Sequence, residues 1–478
     1  MSERRYPDHT KTDHAFRDKT DKLVLNKHPW KEYKLHIVVL LLVVISVLIG
    51  THEIPIVNGV GIIVMPLLYA LVLGVLLYLW PKFTWVSRKQ SAIAEGAMLM
   101  FIGPLLAKLA VSSGQSIHIL FEVGPALILQ EFGHFFGTVL LALPIALWLG
   151  FGKEAVGMTH SVGREPNVAV IIDKFGFSSP EARGVLTVFV IGTVIGTIFI
   201  SMLASICISV LPMHPYAFAM ASGVGSASMN AAALAPVLAM FPSHAVQIEA
   251  FAGFANLISF CLGIYVSIFI TIPFTQKMYE ILKPKLRKKK NKASKEKYNY
   301  LDDGTKQKVN RNREEIDYEL VDGSDSVSYD GFINWTAFLI IFSIIVVVGN
   351  CLGFGGEVTR SAVGMIILSV LTLISMYLER YVPLNISSIV YVSVIGLLLA
   401  CPWSPVSSFV VYYVGGVNLM AIVTVLLAYV GIGIGKNWDK FKAMGWRAVI
   451  VTMCVITGTY LASLLIANTV LVLSGVPF

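Results

Sequence analysis

Apolar runs of about twenty residues, each long enough to cross the roughly 30 Å hydrocarbon core of a bilayer as helix, recur along nearly the whole chain. They fall near residues 36–55, 60–80, 92–112, 119–151, 155–176, 185–211, 216–240, 246–274, 334–354, 360–379, 385–403, 408–434 and 446–474. The pattern predicts an all-α polytopic membrane protein with about 12–13 transmembrane helices. Polar stretches divide the chain into a basic tail over 1–35, an N-terminal membrane domain over 36–275, a charged linker over 276–332 and a C-terminal membrane domain over 333–478. Between 117 and 176 the residues Glu122, Gln130, Glu131, His134, Lys153, Arg164 and Glu165 interrupt the pattern. One long tilted span, two short spans and a re-entrant segment all fit there.

Two apolar stretches are broken by polar, glycine-bearing segments, His160-Ser-Val-Gly-Arg-Glu-Pro-Asn167 and Ser222-Gly-Val-Gly-Ser-Ala-Ser-Met-Asn230. Lipid offers no hydrogen bond to an exposed peptide group, so a break at membrane depth survives only against protein or a water-filled cavity. In secondary transporters such broken helices carry the substrate and ion sites. In the first break Pro166 removes a donor and turns Glu165 away from helix, while Gly163 loosens the chain before it. A half-helix resuming at Asn167 offers free N–H groups, to which Arg164 adds a full charge and a fork for a carboxylate. Gly163, Arg164 and Asn167 are therefore expected at an anionic substrate; in the simpler alternative Arg164 and Glu165 neutralise one another at the membrane surface. The second break uses Gly225, Ser226, Ser228 and Asn230, which leave room for a ligand and offer hydroxyl, amide and main-chain groups to it. Close helix packing through Gly223, Gly225 and Ala231 to Ala233 is the competing reading.

Acids inside apolar runs are costly in lipid and default to functional candidates. Glu122, Glu131, Glu249 and Asp173 qualify, with His134 and His160 as proton partners. Glu165 and Asp173 lie nearest the first break and are expected to couple the ion or proton, joined by Glu249 and by Asn256 in the run after the second break. A repeat of the hairpin pattern between 119–149 and 419–467 leaves inverted repeats as an option.

Composition narrows the function classes. The chain is 56% hydrophobic and only 14% charged, too apolar for a soluble domain of this length. Its formal charge of +8 is concentrated before His36 and between Lys277 and Arg313. By the preference of Lys and Arg for cytoplasmic loops, both segments belong inside, so their basicity reports topology and no nucleic-acid partner is expected. The linker turns from Lys-rich to acidic near Glu314 and holds too few apolar residues for a core; it reads as a flexible connector whose basic end meets anionic membrane lipids. Five cysteines, all inside apolar runs, suggest neither a disulfide nor a metal site. The chain shows no phosphate-binding loop and no His-Glu-x-x-His, so neither ATP-driven transport nor enzyme activity is expected, and no cofactor beyond Na⁺ or H⁺ as coupling ion.

The run from Ala221 to Pro236, followed by Glu249 and Asn256, resembles the cation/proton antiporter and anion transporter superfamily, which includes 2-keto-3-deoxygluconate permeases, lysine exporters and sodium-coupled glutamate carriers. Gly157 to Gly176 together with Gly223 to Pro236 also resembles an uncharacterised bacterial multi-pass membrane family. The wider resemblance implies inverted repeats, discontinuous helices and alternating access. The chain departs from that superfamily in having its two breaks separated by one clear span. The expectation is an ion-coupled secondary transporter of a small organic anion or amino-acid-like solute in the plasma (inner) membrane, N-terminus cytoplasmic, with a homodimer left open. The alternative is a membrane receptor or scaffold acting through its basic loop.

Overall fold

An apolar segment surrounded by lipid has no partner for its peptide groups except its own, so the long apolar runs close into helices. The computed structural model describes residues 29–57, 60–161, 165–176, 179–223, 225–286, 332–383 and 386–476. Helix α1 (Tyr33–Ile49) ends at Gly50, whose φ of 80° stops it, and leads into a hairpin of β1 (His52–Val57) and β2 (Val60–Val64). Then come α2 (Pro66–Leu79), α3 (Arg88–Gln115), the short α4 (Ile117–Glu122), α5 (Gly124–Trp148), α6 (Glu154–Thr159) and α7 (Glu165–Phe175). Helices α8 (Pro180–Ile191) and α9 (Thr197–Val210) are joined by a π turn over Gly192–Gly196. After α10 (Pro215–Ser222) and α11 (Ala227–Met240), α12 (Ala245–Val266) runs through a second π turn, Ser267–Thr271, into α13 (Ile272–Leu286). Beyond the linker lie α14 (Phe332–Phe354), α15 (Val358–Tyr381), α16 (Ser388–Ala400), α17 (Ser407–Val414), α18 (Leu419–Gly435) and α19 (Trp438–Leu473), the last bent at Gly445.

The protein is a polytopic all-α membrane protein. Seven helices among the described residues are long and apolar enough to cross a bilayer, α17 and α18 add an eighth span if counted as one across their 61° bend, and four shorter apolar helices accompany them. Leu48, Phe269, Ile333 and Leu473 turn large apolar side chains outward, as a lipid-facing surface requires. Within the bundle the helices meet through small residues. Gly133 and Gly137 of α5 lie against Ala462 and Gly458 of α19, and a Cβ added at Gly458 would collide with the Gly137 carbonyl. Gly431 of α18 meets the Leu71 carbonyl of α2, and Gly114 of α3 the backbone of α16. Because lipid tails are as apolar as leucine, this close backbone approach is what holds membrane helices together.

Contacts at the helix ends sort the two faces of the bundle. On the face from which α1 starts, Glu32 pairs with Lys89 at the start of α3, and Glu95 with Lys436 at the end of α18. The far face gathers β2 on the end of α9, through Ile63 N–H to Ser205 (3.0 Å), and the His214 N–H on Asn468 near the end of α19 (2.8 Å).

The segment read as a span over 216–240 folds back on itself. Tyr216, at the start of α10, meets His244, just past the end of α11, edge to face (ring centroids 6.4 Å), and lies tilted against Phe251 (4.5 Å). Twenty-four residues of continuous helix would hold those ends about 36 Å apart. Helices α10 and α11 are therefore the arms of a re-entrant hairpin dipping from the far face, with Gly223, Gly225 and Ser226 at its tip. The run over 155–176 does not cross either. Gly157 of α6 rests on the Glu181 carbonyl, and Ile171 of α7 packs with Ala182 and Val185, so both arms meet the first turns of α8.

Candidate functional site

Helix α12 carries Glu249 and Asn256, then Ser259, and its π turn carries Ser267. At 100° per residue, positions 249, 256 and 267 fall within about 20° of one line, and 249 and 267 are separated by about 27 Å along the axis. That is close to the roughly 30 Å depth of the hydrocarbon core. All four are buried, and each hydrogen-bonds to a different part of the bundle.

At the far end Glu249 accepts from Ser112 of α3 (2.7 Å) and pairs with Lys108 of the same helix (3.4 Å). The Lys108 ammonium also donates to the carbonyl of Val414 (3.4 Å), the last residue of α17. A helix C-terminus carries partial negative charge, so this ammonium serves the carboxylate and the helix end together. Such a buried pair stabilises little beyond what desolvation removes, but either partner left alone is strongly destabilising. Near mid-depth Asn256 donates to the Gly223 carbonyl (3.0 Å), satisfying the hairpin where its helix stops. Asn350 of α14 does the same at the bend between α17 and α18, donating to the Gly416 carbonyl (2.8 Å) and accepting from the Asn418 N–H (3.0 Å).

On the flank of the stripe Ser259 lies 2.7 and 2.8 Å from the two oxygens of Glu131, which also accepts from Gln130 (2.5 Å) and faces His134 Nδ1 (3.3 Å). His134 reaches Ser259 as well (3.2 Å). A carboxylate and an imidazole in contact at membrane depth can exchange a proton, and hydroxyl and amide groups around them can pass it on. At the near end Ser267 donates to Asn167 of α7 (3.3 Å), whose amide donates to Ser161 (2.8 Å) between α6 and α7.

The hairpin tip lies beside the middle of this stripe. Gly225 turns it with a φ of 79°, a conformation that resists any side chain, and Ser226 caps α11 by accepting from the Met229 N–H (3.4 Å). The Ser226 and Ser228 hydroxyls are 3.0 Å apart. Asn230, one turn inside, is 1% exposed, and neither its amide oxygen nor its nitrogen has a hydrogen-bond partner among the described residues. A buried polar group left so costs about 1–3 kcal/mol. Tyr460 of α19 is fully buried beside Ser222, and its hydroxyl makes no hydrogen bond of good geometry among the described residues; nor does that of Ser201 in α9.

Of the residues expected from sequence, Glu249 and Asn256 lie on the stripe, Asn167 of α7 hydrogen-bonds to its near end, and Gly225, Ser226, Ser228 and Asn230 lie at the tip. Asp173 and Glu122 are exposed and join neither. Gly163 and Arg164 lie outside the described residues, and of Glu165 only the backbone, opening α7, is described. Sequence reasoning missed Lys108, Ser112, Ser259, Ser267 and Tyr460. Lys108 had a signal, a lone cation deep in the apolar run 92–112.

Residues 44–281 match the family described as protein of unknown function (DUF3100), a segment holding both hairpins and the whole α12 stripe. No curated protein and no solved structure matches the chain.

Proposed function

We propose that the protein is an ion-coupled secondary transporter of a small organic anion or amino-acid-like solute, with the solute at the α10–α11 tip and protons coupled through α12. One observation carries this reading: a single helix bonds a buried Glu131–His134 pair through Ser259 and the solute hairpin through Asn256, barely a turn apart. Ionisable groups at membrane depth are retained for ion or proton movement, because their burial otherwise only destabilises. A hairpin joined to the proton-carrying helix gives the two a physical route for coupling. By the excess of Lys and Arg in the tail and linker, the face bearing them is the cytoplasmic one, and solute uptake of this kind fits the plasma (inner) membrane.

Reconstitution into liposomes with a pH-sensitive dye inside tests this. Addition of a transported solute is expected to move protons, and Glu131→Gln to lower gradient-driven uptake by about tenfold or more, in the range seen when a proton-transfer group is removed. Uptake of full rate and unchanged pH dependence in that variant would remove Glu131 from coupling. Absence of proton movement with every solute would remove the carrier reading itself.

A further inference from the structure

We infer that the α10–α11 tip takes a small monocarboxylate bearing a hydrogen-bond donor, hydroxyl or ammonium, on the carbon next to its carboxylate. This rests on the transporter reading and names the solute class.

Helix α11 is 14 residues long and begins at membrane depth. Its first N–H groups face the tip with the positive end of the helix, a setting that favours a carboxylate. The independent pointer is Asn230. Helical side chains lean toward the helix N-terminus, so its amide is directed back at the tip, buried and with both polar atoms unpartnered among the described residues. Its Nδ2 can donate to a carboxylate seated on the first turn, which leaves Oδ1 as an acceptor on the same side. Only a solute with a donor beside its carboxylate uses both atoms.

One further hydroxyl, that of Tyr460, lies beside Ser222 at the end of α10. Gly196, Met229 and Ile456 meet at one point, where Met229 and Ile456 side-chain atoms come within 3.4 Å of the space a Cβ at Gly196 would take. Asn230 follows Met229 in α11, and Tyr460 lies one turn past Ile456 in α19 and beside Ser222. The Tyr460 hydroxyl can donate to the second carboxylate oxygen. Ser222, Ser226, Ser228, Asn230 and Tyr460 are all uncharged, so the site balances one negative charge with a helix end and has nothing described to match a second. Dicarboxylates are therefore disfavoured.

The full-length protein in detergent, probed by calorimetry and thermal shift, tests the assignment with glycolate, lactate, glycine and alanine against propionate, lactamide and malonate. Binding is expected from the hydroxy acids or the amino acids, and which pair binds tells hydroxyl from ammonium. Propionate, which leaves Oδ1 unpaired, should bind at least about tenfold more weakly, and lactamide and malonate not measurably. Asn230→Asp, which sets a negative charge against the carboxylate, should abolish binding, and Tyr460→Phe should weaken it about tenfold. Tyr460→Phe removes one hydroxyl alone and decides the matter if the Asn230 variant does not fold. Failure of all four acids to bind, equal affinity for propionate and lactate, or unchanged binding in Tyr460→Phe would overturn the assignment. Glu131-dependent transport of some other solute would then leave the carrier reading standing, whereas loss of proton-coupled transport altogether would remove both.

Discussion

Lys108 shows how a single residue can matter through what its loss leaves behind. It is buried between Glu249 and the Val414 carbonyl, with Ser112 as the carboxylate's one further partner among the described residues. Lys108→Ala leaves Glu249 buried without its cation and should destabilise the protein by about 3–5 kcal/mol, whereas Lys108→Met with Glu249→Gln, which removes both charges, should recover most of that. Thermal melting of the three proteins in detergent checks this; a double variant as unstable as the single would show that the pair itself contributes. The sequence displays the lone lysine and the lone acid, but Ser112 and Glu249 are 137 residues apart, and no local pattern joins them. Asn230 was legible as a candidate because it ends a run of small polar residues. That its amide lacks partners among the described residues depends on the helices packed round α11 and is a fact of packing alone. Asp173 shows the converse, since proximity in sequence to a break does not bring an acid to the site when α7 turns it outward.

At the scale of the element, the sequence shows clearly which stretches are helix and where they break, and much less clearly where each arm goes. A broken span and a re-entrant hairpin have the same local signature: an apolar arm, a glycine-rich tip and a second apolar arm. The difference lies in tertiary contacts such as Tyr216 with His244, which turn α11 back beside α10. The bend between α17 and α18 is hidden in the sequence for a related reason. Gly415-Gly416-Val417-Asn418 sits in a run that is apolar overall, and its Gly416 carbonyl and Asn418 N–H are satisfied by Asn350 on another helix. Glycines offer a direct test of how elements meet. Gly458 approaches the Gly137 carbonyl so closely that a methyl has no room, while a Cβ at Gly263 of α12 meets nothing within 4 Å. Gly458→Ala should therefore destabilise the α5–α19 contact by about 1–3 kcal/mol. Gly263→Ala should be neutral or stabilise by up to about 1 kcal/mol through helix propensity. Melting temperatures that fall equally in both would mean that the α5–α19 approach is not specially tight.

For the whole molecule, demoting two spans to hairpins changes the side on which particular loops emerge while leaving the linker in place. Counted as crossings, α1, α2, α3, α5, α8 with α9, and α12 with α13 make six, an even number, which puts Pro29 and Leu286, where tail and linker attach, on one face, as the common basicity of the two segments requires. If 155–176 and 216–240 also crossed, the count would remain even, and the linker could not tell the two arrangements apart. The loops between them can. In the hairpin arrangement Lys174, at the end of α7, emerges on the linker face and Pro212, before α10, on the far face beside Ser243; in the spanning arrangement Lys174 and Pro212 exchange faces while Ser243 stays. All three are exposed. The five native cysteines are free and lie inside helices or at their ends, so they can be replaced by alanine or serine to give a clean background. Cysteines introduced singly at 174, 212 and 243 in sealed, oriented vesicles should then react with a membrane-impermeant maleimide in a fixed pattern. Positions 212 and 243 should label from one side and 174 from the other. Labelling of 174 together with 243, and 212 from the opposite side, would mean that both segments cross. It would also carry the 223–230 tip from the floor of a re-entrant loop to the middle of a through-going helix, where α11 no longer returns to the far face and its N-terminus no longer closes a site open to that face.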